Sequence, residues 1–288
     1  MDYLQSLQEA VHYIESNLEN ELTYADVAAH VYLSPYHFMR IWKSATGLTL
    51  TEYVRNRRLY LAICALTAKP SLQVIEVAYA YHYASPSSFA KAFKAWNGCS
   101  CTKARKDPHK IRVFLPLTIS PNVQGGPQMD YTIESKKAFR IIGVARRFSF
   151  DEGYAKIPAF WSETVKKICQ PSYPHFDLVK GCRIGEFGVC VNDGGNDFLY
   201  LIAGTYQGEE VPSDFCVKEI PASLWAIFKC KGPLPGSLQS VNTAIWKDWL
   251  PQHPEFELSA NIDIEFYSDG DMQASDYTAE IWLPIKKK

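Results

Sequence analysis

Two different spacings of apolar residues divide the chain. Up to about residue 110, apolar positions recur every three or four residues, which is typical of amphipathic helices. From about residue 129 they alternate in short runs, which is typical of half-buried strands. Between them, "LPLTISPNVQGGPQ" is punctuated by Pro and Gly and predicts a linker. We therefore expect a helical domain over 1–110, a linker over 111–128, and a mixed domain of helices and strands over 129–288.

One helical segment occurs twice. "SPYHFMRIWKSATG" at 34–47 returns 51 positions later as "SPSSFAKAFKAWNG" at 85–98. Each copy opens with Ser before Pro, a strong helix start, and ends in Gly, which favours the left-handed end of a helix. A short predicted helix precedes each copy, so the pattern is that of two helix-turn-helix units joined by a long helix. The short helices are expected at 23–30 and 71–80 and the long one at 50–68.

The charge is distributed unevenly, which indicates a polyanionic partner for the repeated segments. Residues 34–110 hold twelve Lys and Arg against three acidic residues, although the whole chain has a formal net charge of −1. A local excess of positive charge suits the phosphates of duplex DNA. Solvated helix faces also carry lysines without any function. The side chains that point away from the predicted cores, and are therefore candidates for contacting DNA, are Tyr36, His37, Arg40, Lys43, Ser87, Ser88, Lys91 and Lys94.

The second half reads as β-β-α-β-β, twice over. Two halves of this kind, side by side, would leave a cleft between them, which is a usual place for a small-molecule site. The predicted helices lie at 157–169 and 237–250. The predicted strands lie at 131–135, 140–148, 182–191, 198–206, 216–220, 224–230, 262–267 and 278–285.

Residues 6–107 resemble the DNA-binding domain of the AraC/XylS family of transcription regulators. The resemblance depends on the two repeated strings and on "LTEYVRNRRL", which follows the first of them. It implies double-stranded DNA as a partner, with RNA polymerase as a further candidate. It also places Tyr36 and Arg40 where the first recognition helix reaches bases, and Lys91 at the matching position of the second.

The second half resembles the GyrI-like effector-binding domain. The strings that carry this resemblance are "IPAFWSETV", "IPASLWAIFKCKGPLPGSLQSV", "FELSANIDIEFY" and "AEIWLPIK". It implies a cleft for cationic, often aromatic, ligands and places its acidic residue at Glu265. Aromatic side chains suit a cation through cation–π contacts, although stripes of aromatic residues usually pack in a core. The aromatic residues expected around Glu265 are Trp161, Tyr200, Trp225 and Tyr267.

Other chemistry is weakly indicated. The seven histidines and eight cysteines show no metal-ligand spacing, and no phosphate-binding loop or nucleophile elbow occurs. We therefore expect no catalytic residue, metal or cofactor. The opening residues do not resemble a secretory signal, and the apolar runs are too short to span a membrane. A cytoplasmic protein with reduced thiols and no membrane contact is expected.

Three functions fit this pattern. The first is a DNA-binding transcription regulator, an activator, controlled by an organic cation or amphiphile bound to the second half. The second is hydrolysis of small electrophiles by a pair of glutamates, Glu186 and Glu265, across the cleft. The third is an architectural DNA-binding protein whose second half docks partners. The predicted fold class is an all-α double helix-turn-helix domain followed by an α+β domain of two repeats with a central cleft.

Overall fold

Two compact units make up the part of the chain that the structure describes. The computed structural model covers residues 3–119 and 129–288. The first unit, here called the helical unit, contains residues 3–33 and 46–119. The second, here called the sheet unit, contains residues 34–45 together with 129–288. The first repeated helix thus belongs to the same unit as the second half of the chain.

This grouping differs from the predicted succession of domains. The division into 1–110, 111–128 and 129–288 remains a prediction, and residues 120–128 of the expected linker lie outside the described residues. The part of that linker at 111–119 has no regular secondary structure. It lies along the helical unit. There the Leu117 N–H donates to the Tyr53 hydroxyl at 3.3 Å and the Ile119 N–H donates to Gln8 Oε1 at 3.0 Å.

Helices dominate the first part of the chain and strands the second. The helices are α1 (Tyr3–Ser16), α2 (Tyr24–His30), α3 (Pro35–Thr46), α4 (Leu50–Ala68), α5 (Val74–Ala80), α6 (Pro86–Asn97), α7 (Cys101–Lys106), α8 (Gly153–Ile168), α9 (Phe176–Gly181) and α10 (Gly236–Ala244). The strands are β1 (Tyr131–Lys136), β2 (Phe139–Ser149), β3 (Phe187–Val191), β4 (Asp197–Thr205), β5 (Cys216–Ile220), β6 (Ser223–Lys231), β7 (Phe256–Leu258), β8 (Ile262–Tyr267) and β9 (Thr278–Lys287).

The second repeated segment forms the helix that its pattern predicts. Ser85 caps α6 by accepting from the Ser88 N–H at 3.1 Å, and Gly98 ends the helix in the left-handed conformation at φ 81°. Phe89 and Phe93 are fully buried in the core of the helical unit, against α4. Because capping, periodicity and the terminal glycine agree, the local sequence alone specifies this helix.

A buried ion pair ties α1 to α4 in the helical unit. Glu15 accepts from the Arg57 guanidinium at 2.7 and 2.8 Å and from the Tyr53 hydroxyl at 2.7 Å. The Arg57 side chain is only 4% exposed and also donates to the carbonyl of Phe114. Among the described residues, Glu15, whose side chain is 20% exposed, is the only carboxylate that forms a salt bridge with this guanidinium.

The sheet unit is built on one antiparallel sheet of nine described strands. Its order is β1-β6-β9-β8-β3-β4-β2-β5, with β7 paired to β9. Strands β3 and β8 lie at the centre, where Gly188 is paired with Glu265 and Cys190 with Asp263. Paired residues share a face, so these four positions lie on one face of the sheet, here called the site face. Helices α8 and α9 pack on that face, with Ile168 and Val179 against Ile142.

The two repeats of β-β-α-β-β are confirmed, with local differences. Helix α9 and strand β7 lie in segments for which no element was predicted, and β3 begins at Phe187 instead of residue 182. Helix α10 continues through a π-helical turn (Ile245–Trp249) into Leu250–Gln252. Helix α9 and strand β7 are too short for their period to stand out in the sequence.

We expect Glu15→Gln to lower the free energy of unfolding of the helical unit by about 3 kcal/mol. The amide keeps the size of the carboxylate but leaves the buried Arg57 guanidinium without its counter-charge, and breaking such a pair is strongly destabilising. Urea denaturation followed by circular dichroism measures the change. Glu9→Gln, at an exposed position of the same helix, is the matched control and should change stability by less than about 0.5 kcal/mol. Equal midpoints for the two variants would contradict the assignment.

Candidate functional site

A cavity of about 370 Å³ opens on the site face of the sheet. Its volume is within the range of small-molecule sites. Three elements supply its floor, with Cys190 from β3, Tyr200 from β4, and Glu265 and Tyr267 from β8. The remaining lining residues are Met39 and Arg40 from α3; Tyr154, Ile157, Pro158 and Trp161 from α8; Phe198 from β4; Leu234, Pro235, Leu238, Gln239 and Asn242 at α10; and Met272 and Gln273 from the loop after β8.

Glu265 is held by a chain of aromatic hydrogen-bond donors. The Tyr200 and Tyr267 hydroxyls both donate to Glu265 Oε2, at 2.9 and 2.8 Å, and the Trp161 indole N–H donates to the Tyr200 hydroxyl at 2.8 Å. The indole of Trp161 also stands edge-on to the ring of Tyr267, with centroids 5.2 Å apart. These contacts fix Oε2 in place. Within the part of the chain that the structure describes, no hydrogen bond to Oε1 is found.

The charge of this carboxylate is not balanced by a salt bridge. Among the described residues, no lysine or arginine forms an ion pair with Glu265. Burial raises its pKa above the ordinary value and nearby Asp263 raises it further, whereas the two tyrosine hydroxyls and Arg40 act in the opposite direction. The carboxylate is thus costly to ionise in the cavity as it stands, and a positive charge placed beside it would be stabilised.

A glycine makes room for this arrangement. Gly188 lies opposite Glu265 on the neighbouring strand, and a Cβ atom there would come within 2.3 Å of the Tyr200 hydroxyl and 2.9 Å of Glu265 Oε2. Real Cβ atoms do not approach other atoms so closely. The absence of a side chain at residue 188 is therefore a condition for the hydrogen bond between Tyr200 and Glu265.

Four of the five predicted cavity residues line the cavity, and the fifth does not. Glu265, Trp161, Tyr200 and Tyr267 come together as described, whereas Trp225 is fully buried on the opposite face of the sheet. There it contacts Trp282, with ring centroids 6.3 Å apart. The reason is strand parity. Phe228 and Glu265 are both paired with Ile281, so these three residues lie on the site face. Successive residues of a strand point to opposite faces, so Trp225 and Ile227, at odd-numbered positions of β6, lie on the other face.

The glutamate pair expected for a hydrolase is not assembled in one cavity. Glu186 forms a salt bridge with Arg183 at 3.1 Å and lines a neighbouring cavity of about 740 Å³. That cavity shares Trp161, Tyr267 and Met272 with the first but does not include Glu265. In the described ranges, no cluster of three or more His, Cys, Asp or Glu suited to a metal is found.

The first candidate DNA-reading helix lies on the site face. Arg40 forms a salt bridge with Asp263, and its guanidinium also donates to the Tyr154 hydroxyl at 3.2 Å and to Cys190 Sγ at 3.3 Å. The Tyr36 hydroxyl donates to Asp263 Oδ2 at 2.6 Å. Tyr36 and Arg40 are 1% and 7% exposed, so neither side chain is available to a base edge in this arrangement.

The neighbours of Arg40 on α3 are partly buried. Burial lowers the pKa of His37 to about 4, so this imidazole is neutral near pH 7. Lys43 is half-buried. Burial alone would lower the pKa of Arg40, but the charges of Asp263 and of neighbouring groups outweigh it and hold the pKa well above its ordinary value. The guanidinium therefore remains charged while it is buried.

The four candidates on α6 are placed differently. Ser87, Ser88, Lys91 and Lys94 are all exposed. Their assignment to DNA contacts stays a prediction, as does that of the α3 residues.

Sequence reasoning did not select Asp263, Tyr154 or Cys190. Asp263 is two residues from Glu265 on β8 and therefore shares its face, whereas nothing in the sequence indicated that α3 would contact it.

Comparison with known proteins agrees with both halves of this description. Residues 132–285 match the family model described as integron-associated effector binding protein, and residues 27–107 match a helix-turn-helix domain model. The chain belongs to the integron-associated effector-binding protein family. The transcriptional activator AarP of Providencia stuartii is 39% identical over 94 residues, which cover 33% of this chain and 69% of AarP.

The right origin-binding protein of Escherichia coli K12 is 32% identical over 96 residues, which cover 33% of this chain and 32% of that protein. The resemblance to AraC-type regulators is thereby confirmed, and the chain is a helix-turn-helix transcription regulator with an effector-binding domain. The structure of SAV2435 bound to tetraphenylphosphonium covers 55% of this chain and 94% of its own, with 18% identity and a TM-score of 0.47. Within 3–119 and 129–288, no helix is long and apolar enough to cross a membrane.

We expect Gly188→Ala to disrupt the Glu265 network while the sheet persists. The added methyl group would displace the Tyr200 hydroxyl, so the Tyr200 to Glu265 hydrogen bond should be lost. Ultraviolet difference spectra and the crystal structure of the variant report the change. Gly181→Ala is the matched control because its Cβ would meet nothing within 4 Å. An intact hydrogen bond in the Gly188→Ala protein would show that the strand shifts at little cost.

Proposed function

We propose that this regulator binds duplex DNA and is controlled by an organic cation that occupies the cavity above Glu265. The observation that carries the proposal is the carboxylate itself. It is half-buried, bonded only by two tyrosine hydroxyls among the described residues, and surrounded by largely apolar walls. Such a group selects for positive charge because a cation repays the cost of ionising it away from water.

The walls indicate an aromatic or amphiphilic cation in place of a metal ion. Trp161, Tyr200 and Tyr267 present aromatic surface next to the carboxylate, and aromatic faces attract organic cations. Aliphatic residues such as Ile157, Leu234 and Leu238 complete the enclosure. A volume of about 370 Å³ accommodates a molecule of drug-like size.

On the DNA side, the exposed face of α6 supports contact with a phosphate backbone and major groove. Two lysines and two serines are exposed on this helix. Both serine hydroxyls also bond to Ser85 at the helix start, so the lysines carry the proposed phosphate contacts. We further propose that the outcome of binding is activation. AarP, which matches the helix-turn-helix part, is described as a transcriptional activator. RNA polymerase stays a predicted partner. Selection of bound sequences from random DNA, with and without a cation, tests the overall function.

We expect Glu265→Gln to weaken binding of an aromatic cation at least tenfold. The amide keeps the size of the side chain and removes the charge, and a desolvated charge interaction is worth more than about 1.4 kcal/mol. Calorimetric titration with tetraphenylphosphonium measures the affinity, and neutral triphenylphosphine oxide shows the effect of shape alone. Glu186→Gln, in the neighbouring cavity, is the control and should bind the cation as the wild type does. Equal affinity of the Glu265 variant would remove this carboxylate from the site.

The same carboxylate makes the affinity depend on pH. In the free protein, burial raises the pKa of Glu265, and a bound cation would lower it again, so binding releases a proton. Cation affinity should therefore fall as the pH is lowered through the raised pKa and should be constant well above it. Titrations of the wild type at several pH values show this slope, and the Glu265→Gln protein should lose it.

We expect Lys94→Ala to weaken binding to all DNA sequences about equally. A lysine that neutralises one phosphate contributes about one unit to the slope of log affinity against log salt concentration, so the slope should become shallower by about that amount. Fluorescence anisotropy with a selected duplex across a salt series measures it. Lys247→Ala, an exposed lysine of the sheet unit, is the control. An unchanged slope would mean that Lys94 does not contact the backbone.

A further inference from the structure

The two helices expected to read DNA, α3 and α6, differ in how far their candidate side chains are exposed. On α6 the candidate side chains are exposed, whereas on α3 Tyr36 and Arg40 are 1% and 7% exposed. Recognition of a base by arginine requires two free guanidinium N–H groups directed at the base edge. The Arg40 guanidinium instead donates to Asp263, Tyr154, Tyr36 and Cys190.

Specific polar and aromatic contacts hold α3 on the sheet. Asp263 is 4% exposed and meets both Arg40 and Tyr36, so a single carboxylate binds the two side chains that define the reading face. Asn261 accepts from the Ser34 hydroxyl at 2.9 Å, which fixes the start of the helix. Phe150 and Phe198 pack against the Tyr36 ring, with centroids 6.3 and 6.4 Å away.

This docking surface adjoins the effector cavity. Met39 and Arg40 line the cavity that contains Glu265, and the guanidinium charge acts on that carboxylate. Asp263 and Glu265 are two residues apart on one strand face, so they create one negative region. A cation bound beside Glu265 would share this region with Arg40 and would be repelled by it. The two positive charges therefore compete.

We infer that Asp263 holds α3 in a position that cannot read DNA, and that a cationic effector bound beside Glu265 displaces Arg40 and frees the helix. This inference rests on the proposed function for its effector, whereas the docked state of α3 does not depend on it. The ligand acts only through its preference for the undocked form, since equal affinity for both forms would shift nothing. By linkage, DNA that engages α3 should strengthen cation binding by the same factor as the cation strengthens DNA binding.

Cysteine labelling reports the docking of α3 in the wild-type protein. Cys190 lies beneath the Arg40 guanidinium at 3.3 Å and is 2% exposed, so a maleimide should reach it only when the helix leaves. We expect a saturating amount of the selected duplex to raise the labelling rate of Cys190 at least tenfold, as measured by peptide mass mapping. Cys169, which is exposed, and Cys230, which is buried in the sheet, are internal controls whose labelling should not change. Unchanged protection of Cys190 on saturated DNA would overturn the inference.

A variant tests the carboxylate directly. Asp263→Asn should label at Cys190 at least tenfold faster without DNA and should bind the selected duplex at least tenfold more tightly than the wild type. Adding tetraphenylphosphonium should strengthen DNA binding by the wild type and have little further effect on the variant. Asp248→Asn, which removes an exposed charge from the same unit, is the control.

The outcomes separate the two proposals. If calorimetry detects no binding of the cation, the proposed effector is wrong, whereas DNA-dependent exposure of Cys190 still supports docking. Wild-type DNA affinity in a folded Asp263→Asn protein would overturn the role of Asp263. If that variant does not fold, the labelling of the wild-type protein alone decides.

Discussion

The register between the central strands β3 and β8 determines the chemistry of the sheet unit. It pairs Gly188 with Glu265 and Cys190 with Asp263, and so places both carboxylates on the face that α8 and α9 cover. A slip of β8 by one residue would turn both carboxylates into the apolar cluster on the other face, next to Val189 and Leu201. The burial of that cluster therefore fixes the acidic pair on the site face, and the cavity and the α3 contact both follow from it.

The order of the strands explains why a cleft lies at the centre. The first repeat contains β1, β2, β3 and β4, and the second contains β5, β6, β8 and β9. The strand order β1-β6-β9-β8-β3-β4-β2-β5 stays the same when it is reversed and the two repeats are exchanged. The first strand of each repeat, β1 or β5, pairs at the outer edge of the other repeat. The two main helices, α8 and α10, then border the central pair from opposite sides. The symmetry is broken at the cavity, because Glu265 is paired across the two central strands with the glycine at residue 188.

Much of this could be predicted from the sequence because the relevant signals are local. The two copies of the helical segment, the alternation along "IDIEFY" and the eight longer strands depend on short-range periodicity, which a single sequence displays. Trp225 was wrongly placed beside Glu265. The two residues lie on different strands, and the sequence does not show which face of one strand matches which face of the other until the register between the strands is known. The ion pair between Arg40 and Asp263 joins residues 223 positions apart, and no local pattern encodes a contact at that separation.

Under the proposed function, the different exposure of the two candidate DNA-reading helices, α3 and α6, has a kinetic consequence. A protein with only α6 available can hold DNA through one short set of contacts, which are largely electrostatic and allow sliding and hopping. Because α4 links the two repeated helices within one chain, any engagement of α3 that follows is intramolecular. Its strength is then governed by an effective concentration, which for short connections is of the order of millimolar and can multiply overall affinity by about 10² to 10⁴. Release of α3 would thus lengthen the residence time of the protein on its DNA site, without any change in the contacts made by α6.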